Sequence, residues 1–178
     1  MKTLAFGASG SKNSINQILA QFTAQTIQNE SEIISITDYQ LPLYSIDFEK
    51  ENGIPENAHL FYQKIQQSEL IIISLAEHNG SYTAIFKNLF DWMSRISLSF
   101  FTDKYLILLA TAPGPRGGLS VLEAAQDRFP RHGANVLGTL SLPKFSENFD
   151  IEKNTFKTVE WKNEFDLFIE SILPKINV

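Results

Sequence analysis

The stretch Thr3-Leu4-Ala5-Phe6-Gly7-Ala8-Ser9-Gly10-Ser11-Lys12-Asn13-Ser14 runs from an apolar segment into a turn of small and hydroxyl side chains, and a helical pattern begins at Ile15. Strand, small turn, helix is the order that builds an anion cradle. Backbone N–H groups at a helix N-terminus have no partner within the helix, and the helix dipole favours negative charge there. Glycines let the main chain close around a phosphate, and serine hydroxyls add donors. Spacing excludes two familiar phosphate loops: there is neither G-x-x-x-x-G-K-[ST], for Mg-nucleotide hydrolysis, nor G-x-G-x-x-G, for a dinucleotide pyrophosphate. A loop suited to one phosphate monoester remains. The plainer alternative is a well-capped βα turn, since Ser14 and Gln17 spell an S-x-x-Q capping box.

Outward from this stretch, β-type runs alternate with helical patterns. The sequence predicts strands at Lys2–Phe6, Glu32–Ile36, Leu70–Leu75, Tyr105–Ala110 and Asn135–Leu142. It predicts helices at Ser14–Gln28, Pro55–Gln67, Thr83–Ile96, Gly118–Arg128 and Phe156–Leu173. This alternation implies an α/β protein, a parallel sheet covered by helices on both faces in a three-layer αβα sandwich. Leu70–Leu75 and Tyr105–Leu109 are apolar on both pleats, as central strands require, whereas Glu32–Ile36 suits an edge. Right-handed crossovers favour a five-stranded order 2-1-3-4-5, the flavodoxin-like arrangement. In that order the loops after strands one, three and four line the ligand crevice. Those loops are Gly7–Ser14, Ala76–Tyr82 and Thr111–Gly118. Two longer connections, Asp38–Ile54 and Lys144–Asn154, read as functional or mobile loops. No repeat or linker breaks the pattern, so residues 1–178 are expected to form one domain.

Composition narrows the function classes. Net charge is −5 with acids and bases scattered, which leaves no nucleic-acid footprint, and an acidic surface repels anionic membranes. The absence of cysteine excludes a disulfide framework, a thiolate metal site and a thiol nucleophile. His59, His78 and His132 fall on different predicted elements at no ligand spacing, so no metal site is expected. Met1-Lys2 leads directly into the first strand, and no apolar run approaches the ~18 residues of a membrane span. A cytoplasmic protein is expected.

The second crevice loop, Ala76-Glu77-His78-Asn79-Gly80-Ser81-Tyr82, follows the most apolar strand. His78 has no partner acid near it in sequence and reads as a polar lining residue rather than a catalytic base. The following helix presents Ile85, Phe86, Leu89, Phe90, Met93 and Ile96 as an apolar stripe, widened by Trp92. Lys87–Asp91 and Asp91–Arg95 form i,i+4 pairs on its other side. Most of the stripe reads as core, with a surplus for a two-fold interface. In the third loop, Thr111-Ala112-Pro113-Gly114-Pro115-Arg116-Gly117-Gly118, two prolines fix φ and glycines allow close approach to a planar ligand. Gly118 opens a helix whose N–H groups face electron-rich ring atoms. Arg116 fits either a nucleotide phosphate or a solvated loop cation. A mononucleotide across the crevice, phosphate on the first loop and flat ring between the other two, matches all three.

The three loops together resemble those of the NADPH-dependent FMN reductase family, the flavodoxin-like quinone and chromate reductases, over about Met1 to Leu142. Family members open with a strand and Gly-Ser-x-Arg-x-x-Ser-x-Asn; here the counterpart is Ala8-Ser9-Gly10-Ser11-Lys12-Asn13-Ser14-Ile15-Asn16. A Pro-Glu-Tyr-Asn segment followed by Pro-Gly and Leu-Lys-Asn-Ala-x-Asp-Trp is met by Ala76-Glu77-His78-Asn79, Thr83-Ala84 and Phe86-Lys87-Asn88-Leu89-Phe90-Asp91-Trp92. A Pro-Gly-x-x-Gly-Gly loop is met by Pro113-Gly114-Pro115-Arg116-Gly117-Gly118. The resemblance implies that Ser9, Ser11, Ser14 and Asn16 hold the phosphate of FMN, with Lys12 and Ile15 in the same loop. It implies that Ala76, Glu77, His78, Asn79 and Tyr82 border the isoalloxazine, with Thr111, Pro113, Gly114, Gly117 and Gly118 on the other rim. Lys12 keeps the charge of the usual arginine without its fork. Ala76, His78 and Thr83-Ala84 alter the ring environment and the nicotinamide site.

Three readings follow. The first is an FMN-dependent oxidoreductase that takes hydride from NADPH or NADH and passes the electrons to a quinone, a free flavin or a similar small acceptor, as a homodimer or homotetramer. No side-chain acid or base is strictly needed, because the chemistry is centred on the flavin. The second is a flavodoxin-type electron carrier, for which a net charge of −5 is modest. The third keeps the fold as an interaction protein without flavin, supported by the altered second motif.

Overall fold

The computed structural model describes residues 1–28 and 30–176. In chain order it contains β1 (Thr3–Ala8), α1 (Ile15–Ile27), β2 (Ser31–Ile33), α2 (Ile46–Asn52), α3 (Glu56–Gln67) and β3 (Leu70–Leu75). A hairpin of β4 (Glu77–His78) and β5 (Ser81–Tyr82) precedes α4 (Ala84–Ile96), β6 (Lys104–Thr111), α5 (Leu119–Arg128) and β7 (Ala134–Leu142). The chain closes with α6 (Phe145–Asn148), a hairpin of β8 (Phe149–Asp150) and β9 (Thr155–Phe156), and α7 (Val159–Ile176). The main sheet is parallel throughout in the order β2-β1-β3-β6-β7. This is the expected 2-1-3-4-5 once the small hairpin is left out of the count.

Every residue of β1 and β3 is buried, as continuous apolar strands covered on both sides must be. Alternate side chains serve opposite layers. Leu4, Phe6, Ile71, Ile73, Leu106 and Leu108 pack with Phe61 of α3, Phe86, Leu89 and Met93 of α4, and Val121 and Ala125 of α5. Ala5, Ile72, Ile107 and Leu109 face Leu19 and Ala24 of α1 and Phe165, Ile169 and Ile172 of α7. The α1 helix lies so close to β1 that a Cβ on Gly7 would sit 2.4 Å from the Gln17 nitrogen and 2.8 Å from the Asn16 carbonyl carbon. Both are main-chain atoms and cannot swing aside. Gly7→Ala is therefore expected to lower unfolding free energy by about 3 kcal/mol, the upper range of overpacking costs, in urea denaturation.

Several expectations are corrected. The edge strand is short, Ser31–Ile33, because Ser35 accepts a hydrogen bond from Thr37 N and turns the chain into a 3-10 segment. The connection Asp38–Ile54 contains α2, N-capped by Ser45 and ended by Gly53 at φ 76°. The last helix starts at Val159 because Thr155–Phe156 pairs as β9. The capping box is half formed: Ser14 Oγ accepts from Gln17 N, but the Gln17 amide accepts from Gly7 N at 2.7 Å and donates to Ile34 O at 3.1 Å. Lys87 pairs with Asp91 as expected. Arg95 instead pairs with Glu49 of α2, at 3.0 Å. Among the described residues, no helix is long and apolar enough to cross a membrane, and no three His, Cys, Asp or Glu side chains cluster as metal ligands.

Candidate functional site

The carboxyl ends of β1, β3 and β6 open onto a cleft of about 210 Å³ lined by residues from all three loops. From the expected set it gathers Ser9, Ser11, Ser14, Ile15, Asn16, Ala76, Glu77, His78, Thr111 and Pro113. Asn13 and Ala112 also line it and were missed: Ala112 has no polar side chain to single it out, and Asn13 was passed over although its carboxamide can donate. Lys12 is exposed and outside the lining.

The first loop is organised to donate. Ser9 Oγ accepts from Ser11 N at 3.2 Å, and Ser14 Oγ accepts from Gln17 N at 3.2 Å. With an acceptor site of each oxygen occupied by the main chain, each hydroxyl hydrogen is free to serve another acceptor. Both serines are buried, at 8% and 7% exposure. Ile15 and Asn16 occupy the first turn of α1, where N–H groups lack intrahelical partners. An acceptor-rich, negatively charged group matches that donor set, so the loop fits a phosphate.

Asn16 acts through its main chain. Its side chain is 3% exposed and fully engaged: Nδ2 donates to Thr111 O at 3.0 Å, while Oδ1 accepts from Thr111 N at 3.0 Å and Ser74 Oγ at 2.8 Å. One carboxamide therefore pairs with both the N–H and the C=O of the last residue of β6 and ties α1, β3 and β6 together. Thr111 completes the lock by donating from Oγ1 to Leu142 O at 2.6 Å.

The second loop is a hairpin. Asn79 and Gly80 both have positive φ, 52° and 75°, the two-residue turn that suits a right-twisted ribbon. The Asn-Gly pair was the available sequence signal. The turn holds Asn79 at an exposed tip, away from the cleft lining. Glu77 reaches across to accept from Val121 N at 3.0 Å, capping α5, whose own N-cap, Gly118, has no side chain to offer. A carboxylate is thus already seated at the helix end expected to face ring atoms. Thr83 stands where the resembled family has proline. It caps α4 through Phe86 N and donates to Ala8 O at 3.0 Å, binding the second loop to the first. Tyr82 turns away from the cleft and packs against Phe86 and Phe129.

The third loop is clamped from β7. Lys144 N donates to Gly114 O and Phe145 N to Ala112 O. Gly117, at φ 59°, lies where a Cβ would meet Ser141 Oγ at 2.3 Å, and Gly118, at φ 77°, where it would meet the Ala110 side chain at 3.0 Å. These two glycines are buried packing positions, and neither they nor Gly114 line the cleft. Arg116 is exposed and donates to Ser120 Oγ. The Lys-Asn-x-x-Asp-Trp motif is also structural: Asn88 accepts from Tyr44 N and donates to Pro42 O, and Trp92 Nε1 donates to Pro42 O at 2.8 Å. The connection after β2 is stapled to α4 by these bonds. Phe86, Leu89, Trp92 and Met93 are spent on the core, as expected for most of the stripe, while Ile85, Phe90 and Ile96 stay partly exposed.

Comparison with known proteins agrees with this architecture. The FerB flavoenzyme NAD(P)H:(acceptor) oxidoreductase from Paracoccus denitrificans superposes with a TM-score of 0.79 at 19% identity, over 98% of this chain and 96% of that one. The uncharacterized MG342 homolog of Mycoplasma pneumoniae is 32% identical over 157 residues, 85% of this chain and 92% of that protein. A quinone reductase of Escherichia coli K12 is 26% identical over 108 residues, 60% of this chain and 57% of its own length. The model of the NADPH-dependent FMN reductase family matches residues 1–147. Having that family's profile over most of its length, and its fold, the chain belongs to the NADPH-dependent FMN reductase family.

Proposed function

We propose that this protein is an FMN-dependent NAD(P)H oxidoreductase that reduces a quinone, a free flavin or a similar small acceptor. The observation that carries the reading is the donor set of the first loop: two buried serine hydroxyls with main-chain donors on their oxygens, at the positive end of α1. The family match and the quinone reductase of Escherichia coli support the chemistry. Ser9, Ser11 and Ser14 hold the phosphate with the Ile15 and Asn16 N–H groups, and Lys12 adds a nearby positive charge. Ala76 to His78 and Thr111 to Pro113 border the ring. When bound, the flavin supplies two-electron transfer between a nicotinamide and an acceptor, which no side chain here can perform. The protein's part is orientation: Asn16, Glu77 and the β7 clamp hold the three loops in one arrangement. The same proposal places the protein in the cytoplasm as a single domain. It self-associates through the side of α4 that carries Ile85, beside the exposed Leu43.

The test is direct. Protein saturated with FMN and mixed anaerobically with NADPH or NADH is expected to lose its yellow absorption within the mixing experiment and regain it on adding a quinone. A flavodoxin-type carrier would stay yellow. Protein that takes up no FMN overturns the reading altogether.

A further inference from the structure

The cleft of the three loops is lined almost wholly by uncharged side chains. Among the described residues, Glu77 brings its single carboxylate and His78 its other titratable group, while neither Lys nor Arg is part of the lining. Lys12 and Arg116, the cations of the first and third loops, are exposed and lie outside it, where water and salt screen them. The charge nearest a cleft occupant is therefore negative.

That carboxylate is fixed in place by a helix from another part of the chain. The first turn of α5 contains no acid of its own, and its N-cap, Gly118, has no side chain. Glu77 supplies the missing acceptor from the ribbon, its Oε2 accepting from Val121 N at 3.0 Å. Its other oxygen, Oε1, takes no hydrogen bond among the described residues and is not fully buried. A bare helix N-terminus carries about half a positive charge and would stabilise electrons added to a neighbouring ring. Here a full negative charge sits on that terminus, so about half a negative charge remains at this corner of the cleft. The expected role of the α5 N–H groups is reversed in sign.

We infer, on the FMN reading proposed above, that Glu77 holds down the reduction potential of the bound flavin. A ring that takes up two electrons and one proton gains one net negative charge, and a carboxylate fixed in the same cleft opposes that gain. A lowered potential favours the onward half of the reaction, in which electrons leave for the acceptor. The bond to Val121 builds the effect into the fold instead of leaving it to a mobile side chain.

The size follows from distance. At about 12 Å and an effective dielectric near 20, one unit charge shifts an equilibrium about tenfold. A ring seated in a cleft of about 210 Å³ lies nearer than that to a residue of its wall. Glu77→Gln keeps an oxygen for Val121 N and removes the charge. It is expected to raise the potential of bound FMN by at least about 30 mV, the two-electron equivalent of tenfold. The measurement is a redox-dye titration of FMN-loaded parent and variant at the same mildly alkaline pH, so that His78 contributes equally to both. Glu77→Ala, which removes the charge and the cap together, is expected to raise the potential at least as far. Amide exchange at Val121 separates the two variants, with protection kept in Glu77→Gln and lost in Glu77→Ala. An unchanged or lowered potential in FMN-loaded Glu77→Gln would overturn the inference and leave the oxidoreductase reading standing. So would a shift confined to Glu77→Ala, which assigns the effect to the lost cap, or a Glu77→Gln protein that takes up no FMN, which makes Glu77 a binding residue. A parent protein that takes up no FMN overturns both readings together.

Discussion

Ser14→Asp is expected to abolish FMN retention while leaving the flavin-free protein as stable as its parent. Aspartate is as good an N-cap as serine, so its carboxylate takes over the bond from Gln17 N and the α1 terminus survives. The same carboxylate sets a negative charge against the phosphate. At about 4 Å and an effective dielectric near 20, that repulsion is about 4 kcal/mol, close to a thousandfold in affinity. Ser14→Ala should show the opposite balance: about 1 kcal/mol of helix stability lost with the cap, but only about tenfold in flavin affinity. Fluorescence titration with FMN and thermal melts of flavin-free protein check both. Equal flavin affinity in Ser14→Asp and the parent would remove the phosphate from this loop.

The second large effect is structural. Asn16→Ala strips partners from Thr111 N, Thr111 O and Ser74 Oγ, all buried, and should cost about 3–5 kcal/mol, lowering the melting temperature by about 10 °C. Asn16→Asp should be comparably harmful at neutral pH, since it turns a donor facing the Thr111 carbonyl into a charged acceptor. Burial raises that carboxyl above its unfolded value, so the folded state gains relative stability as pH falls and the protonated acid donates as the amide does. Melting curves from neutral to acidic pH should show Asn16→Asp closing part of its gap to the parent. A gap that stays constant would assign the loss to packing rather than to the missing donor.

The sheet order, the helices on both faces and the cleft at the ends of β1, β3 and β6 were legible because each rests on a periodic pattern within one short segment. Leu70–Leu75 could only be a central strand. Less legible was what joins distant segments. Lys-Asn-x-x-Asp-Trp stood out as a motif, but Asn88 and Trp92 find their partners at Pro42 and Tyr44, more than forty residues away, which no local spacing encodes. Arg95 was assigned to Asp91 by the i,i+4 rule and went to Glu49 instead, because α2 was not foreseen, although Ser45 and Gly53 mark its ends. Asn16 read as a phosphate-holding residue of the resembled motif, yet its carboxamide had three buried partners waiting on β3 and β6. The Asn79-Gly80 turn was readable from sequence and was absorbed into a generic loop.

Glu77 caps α5 from another segment of the chain, and this ties the solvent exposure of one amide to the integrity of a distant ribbon. Whenever the short Glu77–Tyr82 ribbon peels open, Val121 loses the shield on its proton, although nothing in its own helix has changed. Isotope exchange at that single main-chain position becomes a clock for the ribbon's breathing, and ligands that quiet the ribbon should slow the clock without touching Val121.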